Sequence, residues 1–138
     1  MWDLTTPFGQ RVERLLVERE VIWLVTSGAD GTPHPSPVWF LREGATLLIY
    51  SRPEAPKLRH VQAQSRVALH FDTDPHGNEV TILYGTAAHD PAAPPSDQHG
   101  AYQAKYRAGI ARIGMDPASF AQAYSAPMRV QIERVRGF

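Results

Sequence analysis

The sequence contains no cysteine, which excludes disulfide bonds, catalytic thiolates and cysteine-ligated metal sites. Its longest apolar run, at residues 21–25, is far shorter than the roughly 20 residues that a membrane-spanning helix needs. Fourteen basic residues balance fourteen acidic ones, so the basic surface typical of nucleic-acid or anionic-membrane binding is not expected. The N-terminal residues lack the basic and apolar regions of a signal peptide, and a cytoplasmic location is the default expectation.

Several common sequence motifs are also missing. There is no glycine-rich dinucleotide fingerprint, no P-loop and no Gly-x-Ser-x-Gly nucleophile elbow. None of the six histidines has the i, i+4 spacing of a helical zinc motif, so no metal site is predicted. The segment that starts at Asp72 begins like a calcium loop, but its twelfth position is Leu83 instead of an acid, and the segment is better interpreted as a hairpin turn.

What remains is the composition of an ordinary globular protein, with 43% hydrophobic and 20% charged residues. A chain of 138 residues can bury a core of its own, and a single domain over residues 1–138 is expected. Lysine is scarce, because Lys57 and Lys105 are the only two lysines among fourteen basic residues.

Hydrophobic periodicity and turn signals divide the chain into helices and short strands. Thr6 followed by Pro7 is typical of a capped helix start. A proline-rich connection at residues 90–97 precedes a further helical stretch, which is broken at Gly114 and restarts after Pro117. Strands in hairpin succession favour an antiparallel sheet or small barrel with helices packed against it. The patterns predict helices over 7–20 and 56–64, and strands over 21–26, 34–41, 46–51, 66–72, 80–87 and 127–135.

The strand predicted at residues 34–41 is unusual because it contains several prolines. Pro33, Pro35 and Pro37 have the same parity, so one side of this strand cannot donate backbone hydrogen bonds. The strand must therefore lie at an edge, a bulge or a barrel rim. A rim that also carries His34, Ser36, Val38 and Trp39 suits a planar heteroaromatic ligand. Protection of the edge against aggregation is the alternative, and on this segment alone it is the better explanation of the prolines.

A second candidate site follows the strand predicted at residues 46–51. Tyr50 and Ser51 end this strand, and a proline-stiffened loop then leads to a helix start that carries Lys57, with Arg52 and Arg59 nearby. A hydroxyl, a helix N-terminus and a cation that converge on one point can hold an anion, for which phosphate is the natural choice. The alternative is a solvated helix end at which Glu54 and Lys57 form a weak local pair.

The segment at residues 31–40, the segment from Tyr50-Ser51 to Lys57 and the strand Arg66-Val67-Ala68-Leu69 together resemble the pyridoxamine 5′-phosphate oxidase-like family. The resemblance covers about residues 10–90 and is strongest to the branch of F420-dependent oxidoreductases. It implies a mainly β fold with flanking helices, the antiparallel split β-barrel known as the FMN-binding split barrel. It further implies a homodimer that holds the deazaflavin coenzyme F420, or alternatively FMN, in a groove between subunits.

Residue by residue, the resemblance implies a set of cofactor contacts. The segment from His34 to Trp39, which includes Ser36, Pro37 and Val38, would run beside the flavin or deazaflavin ring. Tyr50 and Ser51 would lie at the ribityl chain and phosphate, and Lys57 would be the phosphate cation. Thr81 would touch the cofactor of the other subunit. Pro56 stands where classical members often have an arginine, so phosphate binding would be weaker or would use Arg52 or Arg59 instead.

The function implied is hydride transfer between F420 or FMN and a small organic substrate. Hydride transfer itself requires no acid or base, so no catalytic residue is assigned, and His34 is the only candidate proton donor. Formation of pyridoxal phosphate is not expected, because the sequence lacks the C-terminal Trp and Arg-His-type elements of the true oxidases. The alternative is a non-catalytic protein that binds or stores flavin, deazaflavin or heme.

Overall fold

Seven strands and four α-helices make up the chain in the computed structural model, which describes residues 1–138. The helices are α1 (Pro7–Glu18), α2 (Pro56–Ala63), α3 (Gly100–Arg112) and α4 (Pro117–Ala123), with a short 3-10 turn at Ser96–Gln98. The strands are β1 (Val21–Ser27), β2 (Pro33–Trp39), β3 (Leu41–Glu43), β4 (Thr46–Ser51), β5 (Arg66–His70), β6 (Thr81–His89) and β7 (Ala126–Gly137).

All seven strands form one antiparallel sheet in the order β2-β1-β5-β6-β7-β4-β3. Strands β2 and β3 lie at opposite edges of this sheet, although only Phe40 separates them in the sequence. A sheet whose two edges are one residue apart must curl until the edges meet, and β2 does contact β4 across the opening. The result is a half-barrel with flanking helices, which confirms the predicted split-barrel fold.

The prediction of one strand over residues 34–41 is wrong, because the chain leaves β2 at Phe40 and starts β3 at Leu41. The backbone N–H of Phe40 donates to the Tyr106 hydroxyl at 2.8 Å, and its carbonyl oxygen accepts from Lys105 Nζ at 2.8 Å. Both backbone groups are therefore bonded to side chains of α3 instead of a neighbouring strand. The expected unbroken hairpin succession is wrong for the same reason, since β2 does not pair with β3.

Strand β2 is an edge strand, as its prolines predict. The backbone N–H of Gly28 donates to the carbonyl oxygen of Thr32 at 2.9 Å. The backbone N–H and C=O groups of the even-numbered residues in β2 therefore point toward β1. Backbone groups alternate in direction along an antiparallel strand. Pro33, Pro35 and Pro37 therefore turn their carbonyl oxygens, without any N–H, toward the open edge.

Two hydrophobic clusters lie on opposite sides of the curled sheet. The larger one, here called the barrel core, is enclosed by the curl and includes Ile22, Leu24, Val38, Phe40 and Leu69 among its 19 buried residues. The smaller one, here called the aromatic cluster, packs the outside of β3 and β4 against α3 and α4. It consists of Leu41, Leu48, Tyr50, Tyr102, Tyr106, Ile110 and Phe120.

The ends of the helices follow local chemistry that is visible in the sequence. Thr6 caps α1 by accepting a hydrogen bond from the Gly9 backbone N–H at 3.0 Å, and Pro7 occupies the first turn. Asp116 and Ser119 form a reciprocal capping box at the start of α4. The restart of the helix after Gly114 is thereby fixed, and α4 is held against the aromatic cluster.

Candidate functional site

A cavity of about 240 Å³ lies where the ends of β2 and β4 and the start of α2 meet α3 and α4. Most residues that the sequence predicts for ligand binding line it, although they come from three separate segments. These residues are Pro37, Val38, Trp39, Tyr50, Ser51, Arg52 and Lys57.

One side of the cavity carries positive charge without a counter-charge. Lys57 lies in the first turn of α2, forms no ion pair, and burial lowers the pKa of its amino group. The side chain of Arg52 extends over the ring of Tyr124, with 4.7 Å from Cζ to the ring centroid, and is likewise unpaired with any carboxylate. The alternative of a local Glu54–Lys57 ion pair is therefore not supported. Unpaired cations beside a helix N-terminus favour an anionic ligand.

The rest of the cavity wall is largely aromatic. The indole of Trp39 is stacked almost parallel on Tyr106, with ring centroids 4.7 Å apart, and also on Phe120 at 5.6 Å. Phe120 in turn stacks on Tyr124 at 4.5 Å. A Cβ at Gly109 would lie only 3.2 Å from the Trp39 ring, so glycine at this position of α3 allows the close approach. The indole is thus held as a rigid, flat wall.

The hydroxyls of the buried tyrosines differ in how they are bonded. Tyr50 donates to the carbonyl oxygen of Pro94 at 2.6 Å, which ties the proline-rich connection to β4, and burial raises its pKa to about 12. The Tyr106 hydroxyl bonds the backbone of Phe40 and Glu20. Tyr102 lines the cavity and is fully buried, but its hydroxyl has no hydrogen-bond partner. Burial raises the pKa of both Tyr102 and Tyr106.

Four predicted residues do not line the cavity: His34, Ser36, Arg59 and Thr81. Ser36 on β2 has a buried hydroxyl without a partner, and Arg59 on α2 is exposed. Thr81 is 1% exposed, and its hydroxyl accepts a hydrogen bond from Arg11 Nε at 3.1 Å. Its expected role concerns a second subunit and stays a prediction.

His34, the candidate proton donor, lies against α2 instead of the cavity. Its ring is 4.6 Å from that of His60, and His60 Nδ1 shares a hydrogen bond of 2.8 Å with the Thr26 hydroxyl. Burial lowers the pKa of His60, with the neighbouring charges of His34 and Arg59 as further causes. The histidine pair therefore joins β1, β2 and α2 at one end of the barrel.

The sequence interpretation did not include five residues that line the cavity. Ala55, Tyr102, Ile113, Phe120 and Tyr124 complete its wall. Tyr102 is a core residue of the aromatic cluster, and the same side chain also lines the cavity. Aromatic residues clustered after the proline-rich connection were the available signal, and only their packing against Trp39 reveals the cavity.

A further surface of the sheet has a mixed, partly apolar character. Trp23 pairs with His70 across β1 and β5, and their rings stack with centroids 6.2 Å apart. These and neighbouring side chains point away from the barrel core and are half-buried. This outer sheet face consists of Trp23, Val25, Ala68, His70, Ile82 and Tyr84.

The arrangement suits a ligand with a flat aromatic part and an anionic end. Trp39 lines the cavity, the Pro37 carbonyl lies at an open strand edge, and Lys57 supplies the cation. No group of three or more metal-ligating side chains is brought together. None of the helices combines the length and the apolar character needed to cross a membrane.

The sequence of residues 8–137 matches the family model described as pyridoxamine 5′-phosphate oxidase. No curated protein matches the chain significantly. Among solved structures, an F420 reductase is 21% identical, with a TM-score of 0.64 over 90% of this chain and 94% of that one. An FAD-binding protein from Mesorhizobium loti is 18% identical, with a TM-score of 0.62 over 89% and 88% of the two chains.

A third similar structure is the heme storage protein HutZ from Vibrio cholerae. It is 14% identical, with a TM-score of 0.65 over 96% of this chain and 95% of that one. At these identities the structural similarity establishes the fold alone.

Proposed function

The chain belongs to the pyridoxamine 5′-phosphate oxidase family, and from this membership we propose that it binds a phosphorylated flavin or deazaflavin. The cofactor would lie in the cavity between Trp39 and Lys57. The protein would use it to transfer hydride to or from a small organic substrate. One observation carries the proposal. Two unpaired cations and a rigid indole wall line the same cavity, and they match the two chemically different ends of such a cofactor.

The polar side of the cavity fits the phosphate. Lys57 supplies a charge that burial leaves poorly solvated, so an anion would replace the water that the amino group has lost. The backbone N–H of Lys57 lies in the first turn of α2, where no intrahelical acceptor is available. Arg52 is exposed and can close over the anion from the mouth of the cavity.

The aromatic side fits the ring system. A bound flavin or deazaflavin supplies the hydride chemistry itself, and the protein has to bind, orient and shield it. Trp39 provides a flat surface fixed by Tyr106 and Phe120, so little side-chain entropy is lost on binding. The Pro37 carbonyl at the open edge of β2 can accept a hydrogen bond from a ring N–H, and Tyr124 and Phe120 exclude water.

The cavity is smaller than the 300–1,000 Å³ or so that encloses a drug-sized ligand, so part of the cofactor would extend beyond it. We propose that a second copy of the chain covers this part and forms a homodimer through the outer sheet face. Trp23, Ile82 and Tyr84 offer apolar surface there, and Arg134 holds its Cζ 4.1 Å above the Tyr84 ring. Replacing Trp23 by Glu should shift the oligomeric state in sedimentation, whereas Val17→Glu, at an exposed position of α1, should not.

Coenzyme F420 is favoured over FMN because it carries an acidic tail. Arg52 and Arg59 are both exposed near the start of α2 and can attract that tail. Titration of the purified protein with F420 and with FMN, each followed by its own fluorescence, tests this preference. Binding of F420 with feeble binding of FMN supports the deazaflavin, the reverse makes the protein a flavoprotein, and binding of neither refutes the cofactor proposal.

The phosphate site has its own test. Lys57→Ala should weaken cofactor binding by about 1.5–3 kcal/mol, since a hydrogen bond to a charged group is lost. Arg107→Ala removes an exposed cation of α3 that does not line the cavity, and it should leave the affinity unchanged. Equal affinities for the wild type and Lys57→Ala would show that the phosphate binds elsewhere.

A storage or sensing protein is the second candidate, because a heme storage protein shares the fold. The cavity is lined by no histidine, which gives heme no imidazole ligand there. Stopped-flow oxidation of bound, reduced cofactor by a panel of quinone, nitro and enone acceptors separates the two candidates. A protein that binds the cofactor tightly but never oxidises it is a carrier and not an oxidoreductase.

A further inference from the structure

The hydroxyl of Tyr102 differs from those of the neighbouring tyrosines because it has no hydrogen-bond partner. The side chain is fully buried and lines the cavity, yet the hydroxyl oxygen has no hydrogen-bond partner. Buried polar groups are nearly always bonded, and leaving one without a partner is costly. An unbonded hydroxyl beside a ligand cavity therefore indicates a partner that arrives with the ligand.

The other tyrosines of the aromatic cluster show that this is a local exception. Tyr50 donates to the Pro94 carbonyl oxygen, and Tyr106 bonds backbone groups of Phe40 and Glu20. Two other buried groups of this region, Ser96 Oγ and Gln103 Oε1, also lack partners. Neither lines the cavity, so they offer no contact to a ligand.

We propose that Tyr102 is a ligand-binding residue whose hydroxyl donates a hydrogen bond to an acceptor oxygen of the bound flavin-type cofactor. The inference rests on the proposed function and adds to it a contact on the α3 side. The cofactor would then be held between Lys57 at the start of α2 and Tyr102 on α3, which both line the cavity.

The surroundings of Tyr102 determine which role its hydroxyl can take. Its ring is 4.8 Å from both the Tyr50 and Tyr106 rings, and its hydroxyl accepts no hydrogen bond that would stabilise a phenolate. Burial raises its pKa, so the hydroxyl keeps its proton. It is therefore suited to donate a hydrogen bond to a carbonyl or phosphate oxygen and unsuited to give up its proton during turnover.

The variant Tyr102→Phe tests the proposal because it keeps the ring and removes only the unbonded oxygen. Thermal unfolding is measured without cofactor, and the dissociation constants of F420 and FMN are measured by fluorescence. We expect an unchanged or higher melting temperature and a roughly 3- to 10-fold weaker affinity. Tyr106→Phe is the matched control for loss of a structural hydroxyl, and it should lower the melting temperature.

Two results overturn the proposal. A fall in melting temperature for Tyr102→Phe as large as that for Tyr106→Phe would mean that the Tyr102 hydroxyl is bonded within the free protein. An unchanged affinity would mean that the ligand does not reach it, while the cofactor proposal stands. If the wild type binds neither cofactor, the proposed function fails and this contact fails with it.

Discussion

The barrel core and the aromatic cluster are built from different chemistry. The barrel core is mainly aliphatic, with Leu16, Ile22, Leu24, Leu47 and Leu69 all fully buried. The aromatic cluster contains three tyrosines and a phenylalanine, and it borders the cavity. One of its members, Tyr102, has a hydroxyl without a hydrogen-bond partner. Aliphatic residues pack to high density and carry no polar atoms, whereas tyrosines bring hydroxyls that must find partners.

This difference assigns separate tasks to the two regions. The barrel core fixes the curl of the sheet and hence the relative positions of β2, β4 and α2. The aromatic cluster forms one wall of the cavity, to which Tyr102 and Phe120 contribute. Stability is therefore expected to depend mostly on the first region and ligand binding mostly on the second.

The largest effect on stability is expected in the barrel core. Leu24→Ala removes a fully buried side chain from β1 and should lower the free energy of unfolding by about 2–5 kcal/mol, because transfer and cavity costs add. Val21→Ala on the same strand changes a side chain that is 44% exposed and serves as the control, at about 0.5 kcal/mol or less. Urea unfolding measures both. A small loss for Leu24→Ala would contradict the division of tasks.

A smaller stability effect is expected in the aromatic cluster. Phe120→Ala should cost about 1.5–3 kcal/mol, the transfer cost of the ring, because the side chain already borders a cavity and no new enclosed void forms. The same variant should bind cofactor more weakly than Leu24→Ala, since Phe120 stacks on Trp39. Urea unfolding and fluorescence titration on both variants compare the regions. Equal losses of cofactor affinity in Phe120→Ala and Leu24→Ala would contradict the separate tasks of the two regions.

Lys105 on α3 should make the free energy of unfolding depend on pH. Its Nζ lies 3.8 Å from the centroid of the Phe40 ring, and burial lowers its pKa to about 8. Between about pH 8 and pH 10 the unfolded chain binds more protons than the native state, so the free energy of unfolding should rise with pH. Urea unfolding of Lys105→Met should lack this rise. The same rise in the variant would assign it to another group.

The smallest effect is expected at the histidine pair of the barrel end. His60 has a lowered pKa in the native state, so the unfolded chain is protonated first and stability should fall as the pH drops below about 6.5. NMR titration of His34→Asn should move the pKa of His60 part of the way toward its ordinary value. The return should be partial because burial is the larger cause of the lowered pKa of His60, and it is unchanged in this variant. A complete return would show that the charge of His34 dominates.

Much of the fold could be predicted because its signals are local. The capped start at Thr6-Pro7, the proline parity of β2 and the capping residues around Pro117 each act within a few residues. Strand alternation is another local rule, and it separates Val38 and Phe40, in the barrel core, from Trp39 and Leu41, at the aromatic cluster. The break at Phe40 could not be predicted, because the groups that bond its backbone come from α3, more than sixty residues later.

The same distinction holds for the candidate site. Ser51, Arg52 and Lys57 are close in sequence, so hydroxyl, cation and helix start could be recognised as one candidate anion site. Sequence by itself thus determined the strand edge, the loop that leads from β4 to α2 and the fold class. Only the tertiary structure decided that Tyr102, Phe120 and Tyr124 face that loop, and that His34 turns away from it. The physical reason is that a cavity is formed by side chains distant in sequence, whose meeting depends on how the whole sheet curls and where α3 and α4 pack.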